Sequence, residues 1–131
     1  MILAWAAATL AGTVFDQYEG VFQSQTQSGV DQVSSSDGTA NTLLFGEALG
    51  DQETGARQYS LAWIGAGGMI TGGGINPADW FTFGSKHTAV IQFCFADGSV
   101  RGVAKSADPV AVVFASGWHD GRVYDATALG N

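Results

Sequence analysis

Asp97-Gly98 lies between two strand-like runs, and no other feature constrains the fold of this chain as much. In residues 88–96, Ala89, Ile91, Phe93 and Phe95 share one face, and Val90, Gln92 and Cys94 share the other. Side chains of a strand point to opposite faces in turn, and two largely apolar faces mark a strand with neighbours on both sides. Residues 99–105 continue the pattern after the turn. Asp-Gly between such runs predicts a two-residue hairpin loop, because the favoured loops need positive φ at their central residues.

The rest of the chain reads as further strands and turns. Residues 42–49 form an apolar run that fits a buried strand. Residues 58–64 place Tyr59, Leu61 and Trp63 on one face by period two, which predicts another. Residues 13–22 read equally as a strand or an irregular edge. Residues 23–38 and 50–57 are polar and read as loops, and 76–80 reads as a turn. Residues 65–74 hold six glycines. No helix-opening Gly-x-Gly-x-x-Gly and no Lys-Ser or Lys-Thr follows, so a loop or a closely approached strand is expected rather than a phosphate cradle. Asp108-Pro109 is a helix start, with Asp as cap and Pro at the first helical position. Residues 110–116 then predict a short helix ended by Gly117, although their β-branched residues are poor helix formers.

At 131 residues the expectation is one domain, 1–131, able to bury a core. Charged residues make up 13 %, with 19 glycines and 2 prolines, a mixture that favours short strands joined by glycine turns over helical bundles or disorder. The expected class is therefore mainly β (α+β), an antiparallel sheet with hairpins and one short C-terminal helix. The net charge is −7, from twelve acids against five bases. That balance disfavours nucleic acid and anionic lipid as partners, since both recruit Lys and Arg. Residues 1–11 are apolar but carry no positive flank and are too short to cross a bilayer, so they read as a buried strand or helix and no membrane span is expected in this chain.

Candidate chemistry is sparse. Cys94 is the only cysteine, which precludes an internal disulfide, and its place between Phe93 and Phe95 predicts a buried, inert thiol. His87 and His119 both lie near Asp-Gly turns. A strand of nine residues at about 3.3 Å each separates His87 from Asp97, too far for a dyad. The plainer expectation is that Asp97 and Gly98 fix the turn while His87 orders the start of the strand. The histidines do not have zinc spacing. Calcium fits better, because it accepts Asp carboxylates in irregular loops. Nine of the twelve acids are Asp. Asp120 and Asp125 bracket a turn, and Asp108 precedes it, so these three are the candidate ligands. The more common fate of such residues is as solvated turn acids. No serine sits in a Gly-x-Ser-x-Gly elbow. A hydrolase of small esters or lactones would have to use calcium to polarise a carbonyl and His87 or His119 to activate water.

Four segments together resemble one family. Asp37-Gly38-Thr39-Ala40-Asn41-Thr42-Leu43-Leu44-Phe45-Gly46-Glu47 resembles a "DGTSNTLLxGE" segment, with Ala40 in place of the usual Ser. His87, nine residues, then Asp97-Gly98-Ser99-Val100-Arg101 resembles a His-x9-Asp-Gly signature. Residues 117–123 resemble a closing "DGxV" turn, and residues 59–68 a strand rich in Trp and Gly. In chain order they are similar to the planctomycete-type pseudopilin-like proteins, whose C-terminal domain has no known function. The resemblance marks Asp37, Gly38, Asn41, His87, Asp97 and Gly98 as motif residues. It implies a fold like the globular head of a pseudopilin and a non-enzymatic structural or interaction subunit of a type II secretion or pilus-like apparatus. Partners would be other pseudopilin-like subunits or envelope proteins, in the bacterial cell envelope, or the cytoplasm if the chain is made without a leader. Related major pseudopilins hold calcium in C-terminal loops, which adds to the reading of Asp108, Asp120 and Asp125. Full-length members begin with a prepilin leader and a long apolar helix, and residues 1–11 match neither.

Overall fold

The computed structural model describes residues 2–3, 20–21, 28–49, 75 and 82–130. The expected strand at 58–64, the glycine-rich stretch at 65–74 and the turn at 76–80 fall almost wholly outside them, as do 50–57 and most of 13–22. Among the described residues, strands β1 (Ile2–Leu3), β2 (Leu43–Gly46), β3 (Val90–Phe95) and β4 (Val100–Ala104) form one antiparallel sheet in that order. Ile2–Leu3 thus takes the strand alternative, pairing with Gly46 and Phe45.

The hairpin stands where the alternation placed it, with Ile91 opposite Val103 and Phe93 opposite Arg101. Its loop is one residue longer than expected. Phe95 N–H donates to Ser99 O and Gly98 N–H to Phe95 O, so Ala96, Asp97 and Gly98 are all loop residues. Gly98 takes φ 81°, the left-handed position that closes three-residue loops. Asp97 supports it locally, accepting from both the N–H and the hydroxyl of Ser99.

Burial along β3 alternates as a sheet with one covered face requires. Ile91, Phe93 and Phe95 are buried, while Val90, Gln92 and Cys94 are half-buried. Cys94 is therefore not the fully buried thiol expected; it lies on the less covered face, its Sγ 3.5 Å from Phe95 O. The covered face meets α2 (Pro109–Ser116), whose Ala111, Val112 and Ala115 join the same core. Asp108 caps this helix by accepting from Val110 N–H at 2.9 Å. Packing overrides the low helix propensity of its valines, and the buried Ser116 hydroxyl is satisfied by Val112 O at 2.7 Å. A 3-10 helix (Ala126–Leu129) follows, capped by Asp125, and buries Leu129 in the core.

Two details depart from expectation. The polar stretch before β2 holds a short helix, α1 (Val30–Ser35), which buries only Val33. The Gln32 side chain folds back to accept from Gly29 N–H at 2.8 Å, satisfying one orphan donor of the first turn. Strand β2 ends at Gly46, short of the run 42–49. A Cβ on Gly46 would lie 2.5 Å from the Phe93 ring and 2.6 Å from that of Phe83, which meet edge to face at 4.9 Å. The absent side chain is what lets the two rings pack against the backbone.

Candidate functional site

The antiparallel register sorts the motif residues to two ends of the sheet. Leu43 faces Phe95 at one end, and Gly46 faces Phe93 toward the other. The turn that feeds β2 therefore lies beside the hairpin loop, and the segment after β2 lies beside the start of β3.

At the first end the segment 37–42 bonds to two other Asp-Gly turns. On one side Ala96 N–H donates to Thr42 O at 2.8 Å and Asp97 N–H to Thr39 O at 3.0 Å. On the other, the Asp37 carboxylate accepts from Asp120 N–H at 3.1 Å and Gly121 N–H at 3.0 Å. The Tyr124 hydroxyl adds a bond to Asn41 O at 2.9 Å. The segment is also tied within itself. Asn41 Nδ2 donates to Asp37 O, Asn41 N–H to Gly38 O, and the buried Thr42 hydroxyl to Gly38 O. Gly38 adopts φ 88°, which allows this tight turn. Three Asp-Gly turns thus meet in one joint.

Electrostatics at this end follow from burial and bonding. The Ser99 hydroxyl and N–H, with Arg101 beside them, hold the Asp97 carboxyl below its ordinary value. Arg101 bonds Asp97 at 3.0 Å and lies 4.0 Å over the Phe95 ring. Burial pushes Tyr124 up, partly offset by Arg101. Burial also pushes Asp120 up, and the neighbouring Asp37 charge adds to it, against the bond from Arg122 N–H and the charge of Arg122. Asp120 Oδ1 accepts that bond at 2.8 Å, while Oδ2 is buried with no partner; Trp118 Nε1 is likewise buried and unpaired.

A cleft of about 150 Å³ opens at this joint, lined by Ser36, Asp37, Asn41, Gly121, Arg122, Val123 and Tyr124. It is smaller than the roughly 300–1,000 Å³ of small-molecule sites. The Asp37 carboxylate, the Asn41 Nδ2 and carbonyl and the Tyr124 hydroxyl there are engaged in the bonds described.

At the other end His87 Nε2 lies 3.4 Å from Glu47 Oε1, with the two side chains 57 % and 35 % exposed. Glu47 Oε2 accepts from Gln92 N–H at 2.9 Å, which fixes the carboxylate against β3. The nearby loop is held by Ser85, whose hydroxyl donates to Val90 O and whose carbonyl accepts from Lys105 Nζ at 2.9 Å. His119 has a different setting, exposed, with its ring 4.5 Å from that of Trp118. Among the described residues neither histidine is bonded to a Ser, Thr or Cys side chain that it could activate. Strand β3 lies between His87 and Asp97, and the partner His87 meets is Glu47. Its only signal was its place at the end of the 37–47 motif.

The three candidate calcium ligands do not form one donor set. Asp108 and Asp125 each cap a helix, and Asp120 bonds its own turn. Among the described residues no group of three or more His, Cys, Asp or Glu is placed to hold a metal ion.

A family model described as a protein of unknown function (DUF1559) matches residues 62–110, less than half of the chain. The match takes in His87, β3, the Asp97-Gly98 loop and β4, and agrees with the resemblance at the level of a family whose function is unknown. No curated protein and no solved structure matches the chain. Among the described residues no helix is long and apolar enough to cross a membrane.

Proposed function

We propose that this chain is a structural or interaction subunit, the globular domain of a type II pseudopilin-like protein in a bacterial envelope or secretion apparatus. One observation carries the non-enzymatic part of this reading. Asp37, Asp97, Asp108, Asp120 and Asp125 each accept a backbone N–H, so these carboxylates serve turns and caps. General acid–base work needs a group within hydrogen-bond reach of substrate, and a nucleophile needs a neighbouring base. Among the described residues His87 meets Glu47 and His119 meets Trp118, and neither histidine is bonded to a Ser, Thr or Cys side chain. The envelope setting and the pseudopilin-like partners rest on the motif resemblance and agree with the partial family match.

The test has two arms. A photo-crosslinking residue at Val123, 93 % exposed beside the cleft, is introduced in a producing bacterium, and the cell is fractionated. The reading expects the protein in the envelope fraction, joined to a pseudopilin-like subunit. Recovery in the cytosol with no such adduct sinks it. In the second arm the purified chain is offered small esters and lactones with calcium. Turnover lost in a folded His87→Gln or His119→Gln variant would establish the hydrolase instead.

A further inference from the structure

Strand β4 is the last strand of the sheet, and its outer edge carries backbone groups that the fold leaves open. Phe95 N–H donates to Ser99 O, and Lys105 N–H donates to Ala89 O. These two bonds fix the phase of the ladder between them, whose register runs unbroken from Val90–Ala104 to Cys94–Val100. In an antiparallel pair, positions that exchange hydrogen bonds alternate with positions that do not. Arg101 and Val103 therefore turn their N–H and C=O groups toward β3, and Val100, Gly102 and Ala104 turn theirs outward. Ala104 O is met by Ala107 N–H at 2.9 Å. Among the described residues no strand pairs with the rest of this row.

Free edges are ordinarily protected by a bulge, a proline or an outward charge. Strand β4 has neither bulge nor proline. Its one charged side chain, Arg101, is held inward, 3.0 Å from Asp97 and 4.0 Å over the Phe95 ring. Val100 stands 67 % exposed at the open end of the row.

We propose that β4 is a strand-addition edge, at which a second copy of this chain pairs antiparallel through its own β4 about a two-fold axis at Gly102. A row of alternating donors and acceptors is matched by another extended backbone. A second copy fits because the edge is self-complementary. With Gly102 opposite Gly102 of the second copy, Val100 falls opposite Ala104 and Arg101 opposite Val103. No like charges meet in that register, and the glycines present no side chains at the axis. Moving the axis to Arg101 would set two guanidinium groups opposite each other, which is unfavourable. A two-fold contact closes on itself, so the product is a dimer and not a fibre. The net charge of −7 on each copy opposes approach, so the dimer tightens as salt screens it. The proposal gives the interaction subunit a partner, a second copy, but rests on strand geometry and not on the envelope setting.

The experiment is sedimentation equilibrium of the full chain in about 1 M sodium chloride, where the screening length is about 3 Å. The edge predicts a monomer–dimer equilibrium that Val100→Lys weakens by about tenfold or more, by placing a charge on the open row. Gly102→Pro should do the same, because it removes an outward N–H and no ladder bond. A Cβ at 102 would meet the Val90 side chain at 3.3 Å, so the exposed Val100→Lys guards against a proline variant that misfolds. Val110→Lys, also at an exposed valine but on α2, should leave the equilibrium unchanged. Hydrogen exchange reads the register: the Val100 and Gly102 amides, fast in the monomer, should slow as protein concentration rises. A chain that stays monomeric overturns the proposal. So does a dimer that Val100→Lys leaves intact, one that Val110→Lys weakens as much, or one whose Val100 and Gly102 amides stay fast. The envelope reading is decided separately, by the crosslinking and fractionation of the cell.

Discussion

Both ends of the sheet carry charged side chains, and they use them differently. At the Asp-Gly end, the Asp37 carboxylate accepts from two backbone N–H groups 83 and 84 positions away in sequence, while Asp97 and Asp120 accept from their own turns. At the histidine end, Glu47 accepts one backbone N–H, from Gln92, and its other oxygen makes a partly exposed contact with His87 Nε2 at 3.4 Å. A hydrogen bond to a charged group is worth about 1.5–3 kcal/mol, whereas an exposed pair is worth about 0–1 kcal/mol. The signature that joins His87 to Asp97 therefore spans two unlike parts: the Asp-Gly half builds a joint, and the His half adds little to stability.

That contrast can be broken by mutation. Asp37→Ala should cost the most, about 2 kcal/mol by urea denaturation, because it leaves two turn N–H groups without their acceptor. A loss under about 0.5 kcal/mol would remove the distinction between the ends. Gly98→Val comes next at about 1–2 kcal/mol. Nothing lies within 4 Å of the new Cβ, so the cost is that of a β-branched residue at φ 81°. Asp108→Ala should cost about 1 kcal/mol through the lost cap. The same loss with and without added calcium would separate cap from ligand, and a loss that calcium alone creates would restore the metal reading. His87→Gln should be smallest, below about 0.5 kcal/mol. A penalty equal to that of Asp37→Ala would make the two ends equivalent.

What could be read from the sequence was local. Alternation located β3 and β4, and Asp108-Pro109 with Gly117 located α2, because each signal lies within the element it marks. The loop at Asp97-Gly98 was read one residue short because Ala96 looks like strand, while its N–H in fact goes to Thr42 O. Helix α1 was missed because it buries Val33 alone, and so little periodicity cannot be told from a loop. Cys94 was placed too deep, since its neighbours Phe93 and Phe95 point to the face that α2 covers and Cys94 to the other. The joint was the least legible feature. The resemblance marked Asp37 and Asn41, but nothing near them in sequence says that their partners are Gly121 and Tyr124.

The central claim is that residues 37–42 form one unit holding both other Asp-Gly turns. Native-state hydrogen exchange on the parent and Asp37→Ala tests it most directly. The Asp120 and Gly121 amides should lose protection in the variant, having lost their acceptor. Ala96 and Asp97, which donate to Thr42 and Thr39, should lose protection with them, while Ile91 and Val103 in the hairpin keep theirs. Loss confined to Asp120 and Gly121 would contradict the account, because the two turns would then be held separately.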